Sequence, residues 1–407
     1  MKKNILFRHI FSIIFLIIIS AFLVGCGSKN KEVVIQDRKE EGDFKLIKVK
    51  NKWYISGLID EEKEEVVIPS TLDISGIWEK AFCDKQVYWP PEGGKKYLKN
   101  NNTLRKITIE KEIEKIGDYA FYECKALTEI IMPNTITEIG NYAFYECDKF
   151  EKIDFNNITK IGDHAFEKTS INSPAFSEKI KTIGENAFTA CSEIEKVIMP
   201  SSIKKIGECC FSYCPNIKEV CLSECKKLTV LNGGMFSECS KLNKVLLPPK
   251  IKTIGSYAFG ADISLKAIEL PDSLTRIEEG AFDRTSLEKI TIPKRVRFIG
   301  GLAFSCAPLT MVIILGRVKK MSSYSFSYNP EKTNLKIYYK GSESSWNKIQ
   351  YYTYKSVNFE RIEVIDYEHY YINKIEKVFY SSKKPKNNFD KYWHFVEGLV
   401  VVWQEED

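Results

Sequence analysis

Apolar residues recur along this chain with a short period nested inside a long one. In Leu127-Thr128-Glu129-Ile130-Ile131-Met132-Pro133, Ile130 and Met132 face one way along an extended chain and Glu129 and Ile131 the other. That period of two predicts a short strand, which Pro133 ends. Leu287-Glu288-Lys289-Ile290-Thr291-Ile292-Pro293 repeats the arrangement. A second apolar pair follows, such as Ile136 and Ile139, before Gly140 turns the chain and Ala143-Phe144 returns to the interior. The block Ile116-Gly117-Asp118-Tyr119-Ala120-Phe121 comes back from Ile139, Ile161 and Ile183, and its Phe recurs from Phe121 to Phe326 in steps of 22 to 25 residues. One such unit cannot bury its own apolar edge, so it is stable only when stacked on its neighbours. The predicted fold is a repeat solenoid, mainly β with short helical or irregular turns, around one continuous core.

These residues, L-x-x-I-x-L-P followed by I-x-x-I-G-x-x-A-F-x-x-C, resemble the BspA-like leucine-rich repeats of bacterial surface proteins. The resemblance covers 103–330 directly. It implies a right-handed leucine-rich repeat array displayed at a cell surface, which binds or adheres and does not catalyse. The motif departs from better-known leucine-rich repeats in turning at Pro where they carry Asn, which removes the expected Asn ladder.

Open solenoid ends need covers. Over 44–102 the chain predicts an N-terminal cap: Phe44–Val49 and Trp53–Leu58 pair as a hairpin around Lys50-Asn51-Lys52, and Ile77-Trp78-Glu79-Lys80-Ala81-Phe82 forms a divergent first repeat. An insertion at Tyr88-Trp89-Pro90-Pro91-Glu92-Gly93-Gly94 reads as a surface loop. Residues 331–407 resemble a module that closes such arrays in Gram-positive bacteria. Its Trp346, Tyr392, Trp393 and Trp403 fit a cover for an apolar end. The alternative is an open aromatic platform for polysaccharide.

Ahead of the cap, 1–25 reads as a lipoprotein signal peptide. Lys2, Lys3 and Arg8 precede an apolar run from Ile10 to Val24, too short for a comfortable span of about 20 residues. Leu23-Val24-Gly25-Cys26 resembles the lipobox, in which the Cys, here Cys26, receives diacylglycerol. Residues 26–43 are polar and predict a tether. The expected location is therefore the extracytoplasmic face of a cell membrane, held by lipid.

Charge and cysteine refine this picture. The formal charge of +6 includes those three N-terminal cations, and what remains is too weak to argue for nucleic acid. Of the 12 cysteines, Cys124, Cys147, Cys191, Cys214 and Cys239 each fall three residues after a repeat Phe, predicting a column of buried free thiols. Cys209, Cys210, Cys214, Cys221 and Cys225 crowd locally, but C-x-x-x-C without His is a poor zinc pattern, so neither metal nor cofactor is expected. The four histidines form no metal or triad motif, and no phosphate-binding or nucleophile-elbow signature is present.

What remains is a binding face. Aligning the copies puts Lys106, Glu129, Lys152, Lys196, Glu219, Lys244 and Lys289 in one outward row. The next row includes Ile131, Ile198, Cys221, Leu246 and Ile313. Aliphatics beside lysines suit a surface protein of a host or neighbouring cell with an acidic, partly apolar surface. A solute-binding lipoprotein is disfavoured, because that role needs two lobes around a cleft.

Overall fold

Each repeat supplies two short strands, and like strands from successive repeats pair in parallel. Val197, Val220 and Val245 lie in register in one ladder, and Ile139, Ile161, Ile183 and Ile206 in the other. The computed structural model describes residues 35–78, 80–82, 101–326, 335–357, 360–365, 375–381, 388–396 and 399–402. It is a β-solenoid of about 11 turns with almost no helix. The inward residues of both ladders are buried, and between them the repeat phenylalanines stack ring on ring from Phe82 to Phe326. Centroids are 5.1 Å apart at Phe121–Phe144 and 5.9 Å at Phe236–Phe259, within the range favoured for offset aromatic pairs.

The segment around each Phe uses backbone geometry that the side-chain pattern does not announce. In every complete turn from Tyr119 to Cys306, the residues two before and two after the Phe lie in the left-handed region; Tyr119 and Glu123 have φ of 58° and 53°. Alternating left- and right-handed residues turn every second peptide along the solenoid axis. The N–H groups of Tyr119, Phe121 and Glu123 accordingly donate to the carbonyls of Asn141, Ala143 and Tyr145 in the next turn, at 2.8, 2.8 and 2.7 Å. Three bonds per step offset the roughly 1–2 kcal/mol that each left-handed non-glycine residue costs. Where Gly280 takes this position, the ring of Tyr257 lies against it, and a Cβ there would sit 2.3 Å from the ring.

Gly140 has a different role from the turn expected of it. Its φ is not left-handed; a Cβ on it would come within 2.6 Å of the Asp118 backbone nitrogen. Glycine here permits close approach of stacked turns. The residue after this glycine also supplies the side-chain ladder that the motif lacks at its Pro turn. Asp118 Oδ1 accepts from Asn141 N at 2.9 Å, Asn141 Oδ1 from Asp163 N at 2.8 Å, and Asp163 Oδ1 from Glu185 N at 2.8 Å.

The N-terminal hairpin is present: β2 (Phe44–Val49) and β3 (Lys52–Leu58) are antiparallel, with Lys50 and Asn51 both left-handed at the two-residue turn. A further strand, β1 (Asp37–Glu41), pairs with β2 inside the expected tether. Its sequence, Asp-Arg-Lys-Glu-Glu, is almost wholly exposed and so lacks the alternation that announces a strand. As an outermost strand it is well suited to stop further sheet addition, because charge blunts an edge. The proposed signal peptide, with Leu23, Val24, Gly25 and Cys26, lies outside the described residues, as do Cys83, the Tyr88–Gly94 insertion and Trp403.

At the other end, Gln350–Val357 and Glu360–Ile365 form a hairpin that continues one ladder. The other ladder runs through Lys289–Ile292, Met311–Ile314, Lys336–Tyr339 and Glu376–Tyr380. Tyr392–Val396 then pairs with Glu376–Tyr380 through two residues only, before turning back as an antiparallel hairpin with Leu399–Val402. This hairpin covers the outward side of the last turns. Trp393 is fully buried with Tyr338 and Val378, and Met311, Ile313, Val400 and Val402 pack against them.

Candidate binding faces of the solenoid

The strand face divides into three segments. Glu65–Ile68, Lys106–Ile109 and Glu129–Ile131 form the first, and Lys152 joins it through a single bridge to Glu129. Lys196–Ile198, Glu219–Cys221 and Lys244–Leu246 form the second. The third begins at Lys289–Ile292. The outward row is therefore interrupted: residues 171–176 and 266–270 are not strands, and in the first of these gaps Pro174 has no N–H to give a ladder.

Within the segments, register places the lysines beside glutamates. Lys106 Nζ is 3.2 Å from Glu129, and Glu219 holds both Lys196 and Lys244 at 2.8 Å. The side-chain bonds from Lys196 and then Lys244 keep the Glu219 carboxyl below its ordinary range. Lys106, Lys196 and Lys244 are thus ion-paired in register, while among the described residues Lys152 and Lys289 make no ion pair, so the row keeps an excess of cations.

The aliphatic row stands where the alignment puts it in the first two segments. Ile131 is 43% exposed, Ile198 52% and Leu246 43%, with half-exposed Cys221 in register between the last two. Val67, 49% exposed and paired across to Thr108, extends the row into the divergent first repeat. Its signal, the alternation in Glu65-Val66-Val67-Ile68-Pro69, was readable but fell outside the aligned copies. Ile313 does not belong to the exposed row, because the terminal hairpin covers it. Lys289 is exposed, with Met311 opposite it in the ladder.

The aromatic platform is also corrected. Trp393 is 0% exposed and donates its indole N–H to the Tyr339 carbonyl at 3.3 Å; Trp346 is 5% exposed on the one-turn helix Glu343–Trp346, and Tyr392 is half-buried against the core. Neither tryptophan offers an open ring face.

All the described cysteines are free thiols. The column from Cys124 to Cys239 is fully buried, and each thiol donates to the carbonyl of a Phe in the preceding turn: Cys147 to Phe121 at 2.9 Å, Cys191 to Phe166 at 3.0 Å, Cys214 to Phe188 at 3.2 Å. Cysteine suits this position because it packs as a small apolar group and still donates to a buried acceptor. Burial pushes the Cys191 and Cys209 thiols up to about 11, and Cys225 up to about 12, so these stay protonated at neutral pH. Among the described residues no three His, Cys, Asp or Glu side chains are grouped as metal ligands.

A stacked array of short parallel strands with a phenylalanine spine defines a leucine-rich repeat solenoid. The model of the BspA type leucine rich repeat region matches six copies over residues 94–218, 159–268 and 252–386, and the chain belongs to that family. Repeat scaffolds of this family are generally non-enzymatic. A leucine-rich repeat protein from Bacteroides ovatus is similar in fold, with a TM-score of 0.55 and 24% identity over 79% of this chain and 76% of that one. Weaker likenesses extend to a leucine rich cell surface protein from Faecalibacterium prausnitzii (TM-score 0.42, 21% identity, 77% and 97% covered) and to the pneumococcal vaccine antigen PcpA (TM-score 0.48, 20% identity, 77% and 95% covered). No curated protein matches the chain.

Proposed function

We propose that this protein is a lipid-anchored surface scaffold that adheres to other proteins through the strand face of its solenoid. The observation that carries the reading is the exposed aliphatic row, Val67 and Ile131 on the first strand segment and Ile198 and Leu246 on the second, beside lysines of which Lys106, Lys196 and Lys244 are ion-paired. Exposed aliphatics in a fixed, regular array suit a protein surface, since the row offers apolar contact area and its ion pairs form the polar rim. The partner presents a partly apolar, acidic surface, and its footprint centres on the Ile198 to Leu246 segment. Lipidation at Cys26, with Leu23-Val24-Gly25 before it, supplies the anchor, and the polar residues that follow lift the array from the membrane.

The test is an array of purified host-surface and matrix proteins probed with the full chain. Saturable binding to at least one of them is expected, lost in the Ile198→Glu, Leu246→Glu double variant while the melting temperature holds. Binding that survives both substitutions places the contact elsewhere. For the anchor, palmitate should label the wild type and fail to label Cys26→Ala; labelling of both removes the lipoprotein assignment.

A further inference from the structure

The second ladder carries a band of cations that the strand face has no counterpart to. Lys181, Lys204, Lys252, Arg297 and Lys319 take the same outward position in their turns. Hydrogen bonds fix them in a column: Lys204 N donates to Lys181 O at 2.8 Å, Thr275 N to Lys252 O at 2.8 Å, Arg297 N to Thr275 O at 2.9 Å, and Lys319 N to Arg297 O at 2.9 Å. Thr229 and Thr275 fill the other two turns of this column; two residues earlier stand Lys179, Lys227, Lys250, Arg295 and Arg317, all exposed, with Ser202 and Ser273 at that position in the turns of Lys204 and Thr275. One residue after the first column come Lys205, Arg276 and Lys320. From Lys179 to Lys320 no carboxylate occupies any of these positions. In the earlier turns the same positions hold Glu112, Glu114 and Glu138.

Most of these cations lack an ion-pair partner. Among the described residues Lys181, Lys204, Lys252, Arg295, Arg317 and Lys319 make no ion pair; of this band Arg276 does, with Glu278 at 2.7 Å. Of the bordering carboxylates, Asp272 pairs with Lys294 at 3.6 Å, Glu178 accepts from Ser201 and Ser202 and also feels the charge of Lys227, and Glu185 feels that of Lys205, so the barest part of the band runs from Lys252 to Lys319. With about 4.8 Å between stacked strands, the band is roughly 30 Å long and about 10 Å wide. Cations this close lie within a Debye length of about 8 Å and repel one another, a cost that a bound anion removes.

From this arrangement we infer a second binding site: a groove-free cationic track that takes a linear, base-free polyanion, with its backbone charges laid along the solenoid axis. The narrow, long shape fits a chain. A membrane surface would call for apolar residues among the cations, and Val230 is the sole exposed large hydrophobic in the band among the described residues. Single-stranded nucleic acid needs open ring platforms. The ring in the band, Phe298, is already covered by the Arg276 guanidinium at 4.1 Å and stacked on Tyr352 at 5.8 Å.

Binding of the full chain to fluorescently labelled long-chain inorganic polyphosphate tests this. Saturable binding is expected, with affinity falling steeply and log-linearly as salt rises. The Lys252→Glu, Arg297→Glu, Lys319→Glu variant should bind roughly tenfold or more weakly, whereas Lys152→Glu with Lys289→Glu, on the strand face, should stay within about twofold. If the charge-reversed protein does not fold, the corresponding Gln variant must weaken binding in the same direction. Absence of saturable binding at low salt, or equal loss in the strand-face control, overturns the site. So does tighter binding to a single-stranded oligonucleotide of matched charge, or preference for phosphatidylglycerol over phosphatidylcholine vesicles that polyphosphate cannot compete away.

Discussion

Two faces of one array use the same residue in opposite ways. On the strand face Lys196 and Lys244 flank Glu219, Lys106 reaches Glu129, and the neighbouring row is Val67, Ile131, Ile198 and Leu246. On the second ladder Lys181, Lys204, Lys252 and Lys319 stand over equally regular backbone with no glutamate between them and almost no aliphatic beside them. Both faces rest on the same buried columns, so packing cannot account for the difference. Outward positions in a solenoid are free of the core's demands, and charge placed turn by turn adds up over the whole length. The whole-chain charge of +6 conceals this, because carboxylates elsewhere cancel a band that is locally almost purely basic.

The sharpest way to break the comparison is to remove what the two faces share. Phe211 is fully buried and stacked on Phe188 at 5.3 Å and Phe236 at 5.8 Å. Phe211→Ala should cost about 3–5 kcal/mol in urea unfolding, because the cavity lies between turns that cannot collapse independently. Binding at both faces should fall together at temperatures where the variant melts. A loss below about 1 kcal/mol would mean that the stack is not the common support.

Most of this support was legible in the sequence. The Phe period located the spine, the alternation around Ile131, Ile198 and Leu246 located the exposed row, and Lys50-Asn51 located the hairpin turn. What was hidden depends on contacts between turns. Left-handed φ at Tyr119 or Glu123 follows from bonds to the next repeat, not from a residue that prefers it. Neutralisation of Lys196 needs the register that brings Glu219 alongside. The fate of Ile313 and Trp393 was set by a hairpin whose pairing is non-local, and β1 was hidden because an exposed charged edge carries no apolar signal.

A middle-sized effect comes from the one rung where charge enters the core. Asp262 takes the place of the repeat cysteine and is fully buried; its Oδ1 accepts from Cys239 N at 2.8 Å and its Oδ2 has no partner. Burial holds its carboxyl well above the ordinary carboxylate range, and the charge of Glu238 adds to this. Asp283, one turn on, is pushed up to about 6 by burial, against the pull of Arg284. A carboxyl raised in the folded state favours folding below its unfolded value near 3.9, and that contribution is lost as pH rises through the folded value. For Asp283 the window is therefore about pH 4 to 6, at up to about 1.4 kcal/mol per pH unit; for Asp262 it extends higher. Asp262→Asn should melt higher than the wild type at pH 8, with the gap closing towards pH 4. A gap independent of pH would show that Asp262 does not fold as the neutral acid. Surface ion pairs such as Lys196–Glu219 should give no comparable pH signature, which separates buried from displayed charge.

The smallest change in stability carries the most direct test of why the faces differ. Glu219 is the single carboxylate between Lys196 and Lys244, and its partners lie in the open, where ion pairs contribute little to folding. Glu219→Gln should leave the melting temperature unchanged within error. It should nevertheless free the two cations in the turns on either side of its own and give that segment the unneutralised character of the second ladder. Polyphosphate binding by this variant, measured in the Lys252→Glu, Arg297→Glu, Lys319→Glu background so that the native band is silent, should then rise above that of the background alone and fall again with salt. Protein binding through Ile198 and Leu246 should persist, because the aliphatic row is untouched. If freeing the lysines leaves polyphosphate binding flat, two unpaired cations are too few to hold a polyanion. The discriminating property is then the unbroken length of the band, not the missing glutamates. Restoring a glutamate inside that band, as Thr275→Glu between Lys252 and Arg297, is the reciprocal change, and it should weaken polyphosphate binding at an equally constant melting temperature.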